Sequence, residues 1–448
     1  MTRQSEKEIL ALNAFDRRAD TALAPEDLQA VGRRLRNFGS NAVLFYQEPI
    51  RMVRAEQVWM IDAAGRRYLD LYNNVPSVGH CHPRVVEAAS RQMATLNINT
   101  RYLNDIVDAY AERLLATFPD PISQLALTCT GSEANDLALR IAQAATGGTG
   151  VVVTAAAYHG NTTAVTAVSP SSRPGAPLAS HVRTVPAPET YRNPDHDLGG
   201  RFAAAVEAAI DDLARDGIRF SAFLADSIFS SDGVYPDPPK FLSGAVEVVR
   251  RRGGLFIADE VQPGFGRTGA ALWGFARHGV VPDIVTMGKP MGNGFPVGGL
   301  ATRPDLLASL MNDVKYFNTF GGSPVAAAAG MAVLDVIEDE ALMENARNVG
   351  DYMLEGLRAL ANRHAAIGDV RGAGLFIGLE LVRDRASKEP APELAMSVVN
   401  GLREHSILIG AAGAYGNVLK IRPPLCFSRE HAEMMLTASD AVLSTRSV

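Results

Sequence analysis

After His82-Pro83 the chain alternates short apolar runs with helical stretches, and this alternation restricts the fold more than any other feature. Leu125–Thr128, Val151–Thr154, Ala222–Ala225, Leu255–Ala258 and Ile284–Met287 read as strands, each separated from the next by a helical stretch. Such spacing suits right-handed crossovers, and it predicts an α/β fold with a large, doubly wound, mainly parallel sheet. Beyond about Glu338 the order becomes helix, hairpin, helix, strand and helix, as in a smaller α+β domain. Upstream, residues from about Glu6 to Arg36 read as polar helices broken near Pro25. Ile50 to Leu71 reads as a hairpin turning at Asp62–Gly65. The predicted division is 1–75 and 331–448 as two parts of one small domain, around a large domain at 76–330.

A chain of 448 residues is long enough for two such domains. Its 47% hydrophobic and 21% charged residues are the balance of a soluble globular protein, and a net charge of −6 leaves no footprint for nucleic acid or an anionic membrane. Arg250 to Arg252 reads as a solvated helix end. Met1 to Leu10 lacks the apolar core of a signal peptide, and the Ala-rich Val325–Val333 segment suits a buried helix better than a membrane span. Cys81, Cys129 and Cys426 are too few and too scattered for a disulfide framework or a zinc site, so reduced, mostly buried thiols are expected and no metal is. A cytoplasmic enzyme fits these features.

Ligands of an open α/β sheet collect outside the carboxyl ends of its strands. Four polar sequences lie there: Thr130-Gly131-Ser132-Glu133, Tyr158-His159-Gly160, Asp259-Glu260 and Gly288-Lys289. Thr130 and Glu133 have the spacing of a capping box, and Gly131 lets a phosphate approach the N-terminus of the following helix. Asp259 ends a strand expected to be buried on both faces, where a carboxylate needs a cation or N–H partner. A protonated pyridine nitrogen would be such a partner. Lys289, among Gly288, Pro290, Gly292 and Gly294, suits an amine that forms and exchanges imines. Tyr158 could stack on an aromatic ring. Asn318 to Gly322 is a second small, polar turn ahead of a helix, again suited to phosphate. Lys420 and Arg422 alternate along a short strand, which puts both on one face where they could hold an anionic substrate group or meet solvent.

As a set, these residues resemble the class III aminotransferases, a family of fold-type I enzymes dependent on pyridoxal 5′-phosphate. The matching pieces run from Ile50 to about Phe427 and include Gly79-His80-Cys81-His82-Pro83, Gly131-Ser132-Glu133-Ala134-Asn135, Asp259-Glu260-Val261-Gln262 and Gly264-Phe265-Gly266-Arg267. The resemblance implies that Lys289 is the Schiff-base lysine and Asp259 the partner of the ring nitrogen. It also implies that Tyr158 stacks on the ring beside His159, that Gly131 and Ser132 meet the cofactor phosphate, and that Gln262 approaches the ring hydroxyl. Asp226 joins the cofactor-binding set, standing where the family usually has Glu. Ser323 stands where Asn is common, and Pro263 replaces a small or branched residue. Thr319 would reach the phosphate from the other subunit, which implies a homodimer with shared sites.

Within the family, Asn73-Asn74-Val75, Leu96–Leu103, Met287–Gly294, Tyr316–Gly322 and Lys420–Phe427 are similar to ethanolamine-phosphate phospho-lyases, with alanine–glyoxylate aminotransferases next. The expected reaction is therefore loss of phosphate from a small phosphorylated primary amine, with transamination as the alternative. Arg422, Lys420 and Arg101 are the candidates for the substrate anion, and Asn74 and Tyr46 are further substrate-side candidates. A catalytically silent scaffold would be expected to lack Lys289 or Asp259, and both are present.

Overall fold

The structure, a computed structural model, describes residues 12–16, 23–39, 43–172, 175–194, 196–312 and 314–446. Its centre is a seven-stranded sheet in the order Gln124–Thr128, Gly298–Thr302, Ile284–Met287, Leu255–Asp259, Phe220–Asp226, Gly150–Thr154, Val182–Val185. Only Gly298–Thr302 runs against its neighbours. The middle strands are buried on both faces because helices cover each side, which explains their unbroken apolar sequences. Three of them end in one row: Asp226 stands beside Asp259 in register, and Asp259 beside Thr286.

All five predicted strands are present, and two were not anticipated. Val182–Val185 is a short edge strand, and Gly298–Thr302 opens with two glycines that hide its strand character. The connection from Asp259 to Ile284 also differs from the expected helical crossover: its only helical element is the 3₁₀ segment Gly274–His278. Glu260 organises that loop instead. Fully buried, its carboxylate accepts from Ser227 Oγ at 2.7 Å, Gly274 N at 2.6 Å and Phe275 N at 2.8 Å.

The predicted hairpin is a three-stranded meander, Met52–Glu56, Trp59–Asp62 and Arg67–Asp70, because a tight turn at Gln57 (φ +52°) adds a first strand. Ile407–Leu408 then pairs in parallel with Arg67–Asp70, joining chain segments from both ends in one sheet. Helix Leu342–Arg363, hairpin Ile367–Ala373/Phe376–Asp384, helix Pro392–Glu404, strand Val418–Ile421 and helix Arg429–Thr445 follow in the predicted order. Short strand Gly410–Ala412 also pairs with Val418–Ile421. Near the N-terminus, Pro25–Phe38 is a helix starting at the predicted break. The rest of the predicted polar helices, and the segment Met1–Leu10, lie largely outside the described residues.

Helix Pro324–Asp339 is buried along most of its length, as its alanines predict. The cysteines are a correction. Cys81 is exposed and Cys129 and Cys426 are half-buried, because Cys81 occupies a turn (φ +51°) and Cys129 lies at the mouth of the site described next. Among the described residues no helix is long and apolar enough to cross a membrane.

Candidate active site

The strand ends open into a cavity of about 320 Å³ whose wall includes Gly131, Ser132, Tyr158, His159, Asp226, Asp259, Gln262 and Lys289. Asp259 is buried at its floor. Its Oδ2 meets His159 Nδ1 at 2.7 Å and accepts from Asn135 Nδ2 at 3.1 Å, while Oδ1 accepts from Val261 N at 3.1 Å. A carboxylate beside Nδ1 selects the tautomer that donates from that nitrogen. His159 Nε2 is then a buried acceptor with no protein partner. Asp226, alongside, accepts from Ile228 N and Ser230 N at 2.9 and 3.1 Å. Burial pushes its carboxyl above the usual carboxylate range, the Ser230 bond opposes this, and the Asp259 charge adds to the rise.

At one side of the cavity, helix Gly131–Thr146 begins. Thr130 caps it by accepting from Glu133 N at 3.2 Å, as predicted. The reciprocal bond is shifted by one residue, with Glu133 Oε2 accepting from Cys129 N at 2.7 Å. The first amides of the helix therefore face the cavity as a cradle for an anion. Gly131 is needed for closeness: a Cβ there would lie 2.7 Å from Val261 Cγ2. Ser132 Oγ is held by Asn161 N at 3.2 Å.

Lys289 opens the 3₁₀ turn Lys289–Gly292 with a left-handed backbone (φ +31°), which turns its side chain into the cavity. Burial pushes its ammonium down to about 8, and the Arg422 guanidinium pushes the same way. Arg422 donates from Nε to Tyr72 O at 2.7 Å and from a terminal nitrogen to Gln262 Oε1 at 2.8 Å, with its guanidinium 4.8 Å from the Tyr72 ring centre. Gln262 in turn donates to Ser230 Oγ at 2.6 Å, and Asn74 Nδ2 donates to Gln262 Oε1 at 3.4 Å. Lys420 is 5% exposed, with Nζ 5.4 Å from the Phe376 ring centre. Burial drives its ammonium well below the usual lysine range, and Arg422 and Lys289 add to the effect. Among the described residues neither Lys420 nor Arg422 has a carboxylate ion-pair partner.

Asn74, Lys420 and Arg422 stand behind the cavity wall and not in it, and Tyr46, Arg101 and Thr319 are not in it either. Tyr46 is buried and its hydroxyl donates to Ile409 O at 3.2 Å. Arg101 is exposed, its guanidinium 4.0 Å from the Phe317 ring centre, and Thr319 is exposed in the turn after it. Sequence reasoning missed Asn135 and Thr286 as site residues. Asn135 ends the Gly131–Asn135 run one helical turn into the helix, on the face toward the sheet, which was the available signal.

A floor carboxylate, a lysine in the same cavity, a half-buried tyrosine and a helix N-terminus cleared by Gly131 form a donor and acceptor set that fits pyridoxal 5′-phosphate. Fold and site together define a fold-type I enzyme dependent on that cofactor. Comparison with known proteins agrees: the aminotransferase class-III model matches residues 44–443, and the chain belongs to that family. It is 41% identical over 421 residues to an alanine–glyoxylate aminotransferase 2-like protein of Drosophila melanogaster (91% of this chain, 85% of that one). It is 38% identical over 458 residues to ethanolamine-phosphate phospho-lyase homolog 1 of Caenorhabditis elegans (97% and 98%). Among solved structures, an Arthrobacter phospholyase in complex with phosphoethanolamine matches with a TM-score of 0.90 and 43% identity, covering 93% of this chain and 100% of that one. The chain is thus a pyridoxal-phosphate enzyme, a lyase or an aminotransferase.

Proposed function

We propose that this enzyme is a phospho-lyase that converts O-phosphoethanolamine and water to acetaldehyde, ammonia and phosphate. The observation that carries this reading is Arg422, a buried guanidinium with no carboxylate ion-pair partner among the described residues, close enough to depress the ammonium of both Lys289 and the buried Lys420. The guanidinium fork suits two phosphate oxygens, and a dianion held there would favour the charged form of Lys420, whose ammonium burial otherwise disfavours. Arg422 is held by a neutral amide and a carbonyl, so its charge stays available. The phospho-lyase relatives support the same substrate class.

Lys289 would hold the cofactor covalently, Asp259 would meet its ring nitrogen, Tyr158 would stack on the ring, Gly131 and Ser132 would receive its phosphate, and Gln262 and Asp226 would lie toward the ring hydroxyl. When bound, the cofactor supplies an imine-forming carbonyl and a ring that takes up the electron pair left by proton removal. As a free amine, Lys289 Nζ would take the proton from the substrate carbon bearing nitrogen, a role for which a lowered pKa suits it. Arg422 and Lys420 hold the phosphate as it leaves the neighbouring carbon. Alanine–glyoxylate transamination is the second reading, favoured by the Drosophila relative, with Arg422 then holding a carboxylate.

The same proposal includes a cytoplasmic homodimer with the domain boundaries near 75 and 330. Leu103 (97% exposed) and Phe320 (72% exposed), the latter next to Thr319, are apolar side chains that a second copy would cover, bringing Thr319 to the other subunit's cofactor phosphate. Incubation with O-phosphoethanolamine should release phosphate, ammonia and acetaldehyde in equal amounts. If phosphate is not released, while alanine and glyoxylate exchange amino groups, the lyase reading is wrong.

A further inference from the structure

Asn135 is fully buried between the helix that starts at Gly131 and the strands that end at Asp259 and Met287. Its side chain is completely used. Nδ2 donates to His159 O at 2.8 Å and to Asp259 Oδ2 at 3.1 Å, and Oδ1 accepts from Thr286 Oγ1 at 2.6 Å. The amide has only one workable orientation. Flipped, its oxygen would face the His159 carbonyl and the Asp259 carboxylate, two acceptors with no proton to offer. Thr286 is in register with Asp259 on the next strand, three residues before Lys289, and its carbonyl accepts from Glu260 N at 2.8 Å. A line of hydrogen bonds therefore runs Thr286–Asn135–Asp259–His159 and ties together the elements that carry the lysine, the anion cradle and the floor carboxylate.

We propose that Asn135 is a positioning residue that sets the direction of the Asp259 carboxylate, and that Thr286 fixes Asn135 for this task. This rests on Asp259 meeting the ring nitrogen. Without the amide donor, Oδ2 would be held by His159 alone, and carboxylate and imidazole could rotate together away from the ring. Fully satisfied buried networks of this kind lose more than one bond when a member is removed.

The test uses the holoenzyme with Asn135→Ala, Asn135→Asp, Thr286→Val, Thr286→Ser and, in parallel, Asp259→Asn. Thr286→Val keeps the volume and removes only the hydroxyl. It and Asn135→Ala should each lower kcat by about 10-fold or more with KM within about threefold, and shift the cofactor's visible band, as lost outer-shell support does at other sites. Asn135→Asp, which sets carboxylate against carboxylate, should do so more strongly. Thr286→Ser, which restores the hydroxyl, should recover most of the rate and the wild-type band. A lowered Tm with kcat and band unchanged in Thr286→Val makes Asn135 a purely structural knot and overturns the proposal; that variant also decides if Asn135→Ala does not fold. If Asp259→Asn also leaves the rate intact, it is the reading of Asp259 that fails. If only Asp259→Asn slows the enzyme, the Asn135 proposal fails alone.

Discussion

His159 Nδ1 lies 2.7 Å from Asp259 Oδ2, across 100 residues of sequence, and both side chains are almost fully buried. The imidazole closes the carboxylate from one side. A ligand nitrogen in the cavity therefore meets a carboxylate that is already oriented, which is the condition for electrostatic preorganisation.

Asp259→Asn keeps the shape of this floor but removes its charge. The variant is expected to bind cofactor and to lose about 100-fold or more in the rate of substrate proton removal, followed by deuterium exchange at the carbon bearing nitrogen. An unchanged exchange rate would give the ring nitrogen another partner.

Lys289→Ala should abolish turnover and the cofactor's visible absorbance band while leaving the circular dichroism melt near that of wild-type apoprotein. Lys289 is the lysine in the cavity wall, so turnover near the wild-type level in this variant would remove it from the chemistry.

Arg422 and Lys420 separate stability from function. Arg422→Ala should cost on the order of 2–4 kcal/mol in kcat/KM for O-phosphoethanolamine, chiefly through KM, because a desolvated charge contact is lost. Lys420→Met should also weaken that substrate, yet raise the Tm of the substrate-free protein, since burial disfavours the Lys420 charge more than Asp226 and Asp232 favour it, and among the described residues no carboxylate forms an ion pair with it. A fall in Tm on Lys420→Met would show that the ammonium is compensated in the folded state.

The pH dependence follows from Lys289. Its ammonium is pushed down to about 8, so the reactive neutral amine grows as pH rises through that value instead of through the usual lysine range. Cofactor capture by apoprotein, timed by stopped-flow absorbance, should accelerate from pH 7 to 9 with its midpoint near the lowered value. Arg422→Leu removes a charge that disfavours the ammonium, so its midpoint should move upward. A midpoint that stays put in this variant would uncouple the two residues.

Much of the site was legible because its groups follow strand ends, where a local change from apolar to polar residues is visible in sequence. Asp259, Lys289, Gly131, Ser132, Tyr158 and His159 share this signature and line one cavity. Gly298–Thr302 was not legible, since its strand character comes from pairing on both sides and not from side chains. Nor was the loop from Asp259 to Ile284, whose backbone is held by one buried carboxylate in place of a helix. Asn135 looked like an ordinary helix residue because its partners are far away in the chain: His159 by 24 positions, Asp259 by 124 and Thr286 by 151.

Local order, the alternation of buried strands and polar turns, was determined by the sequence alone, because burial periodicity and turn chemistry act over a few residues. That was enough to bring Lys289 and Asp259 to the same end of one sheet. Whether Lys420 and Arg422 would be solvated or buried was decided only in the folded chain. Strand alternation puts them on one face, but only the packing of Phe376, Tyr72 and Gln262 against that face removes them from water, with no carboxylate ion-paired to either among the described residues. Desolvation and charge pairing depend on neighbours distant in sequence, and those neighbours are in place only when the chain is folded.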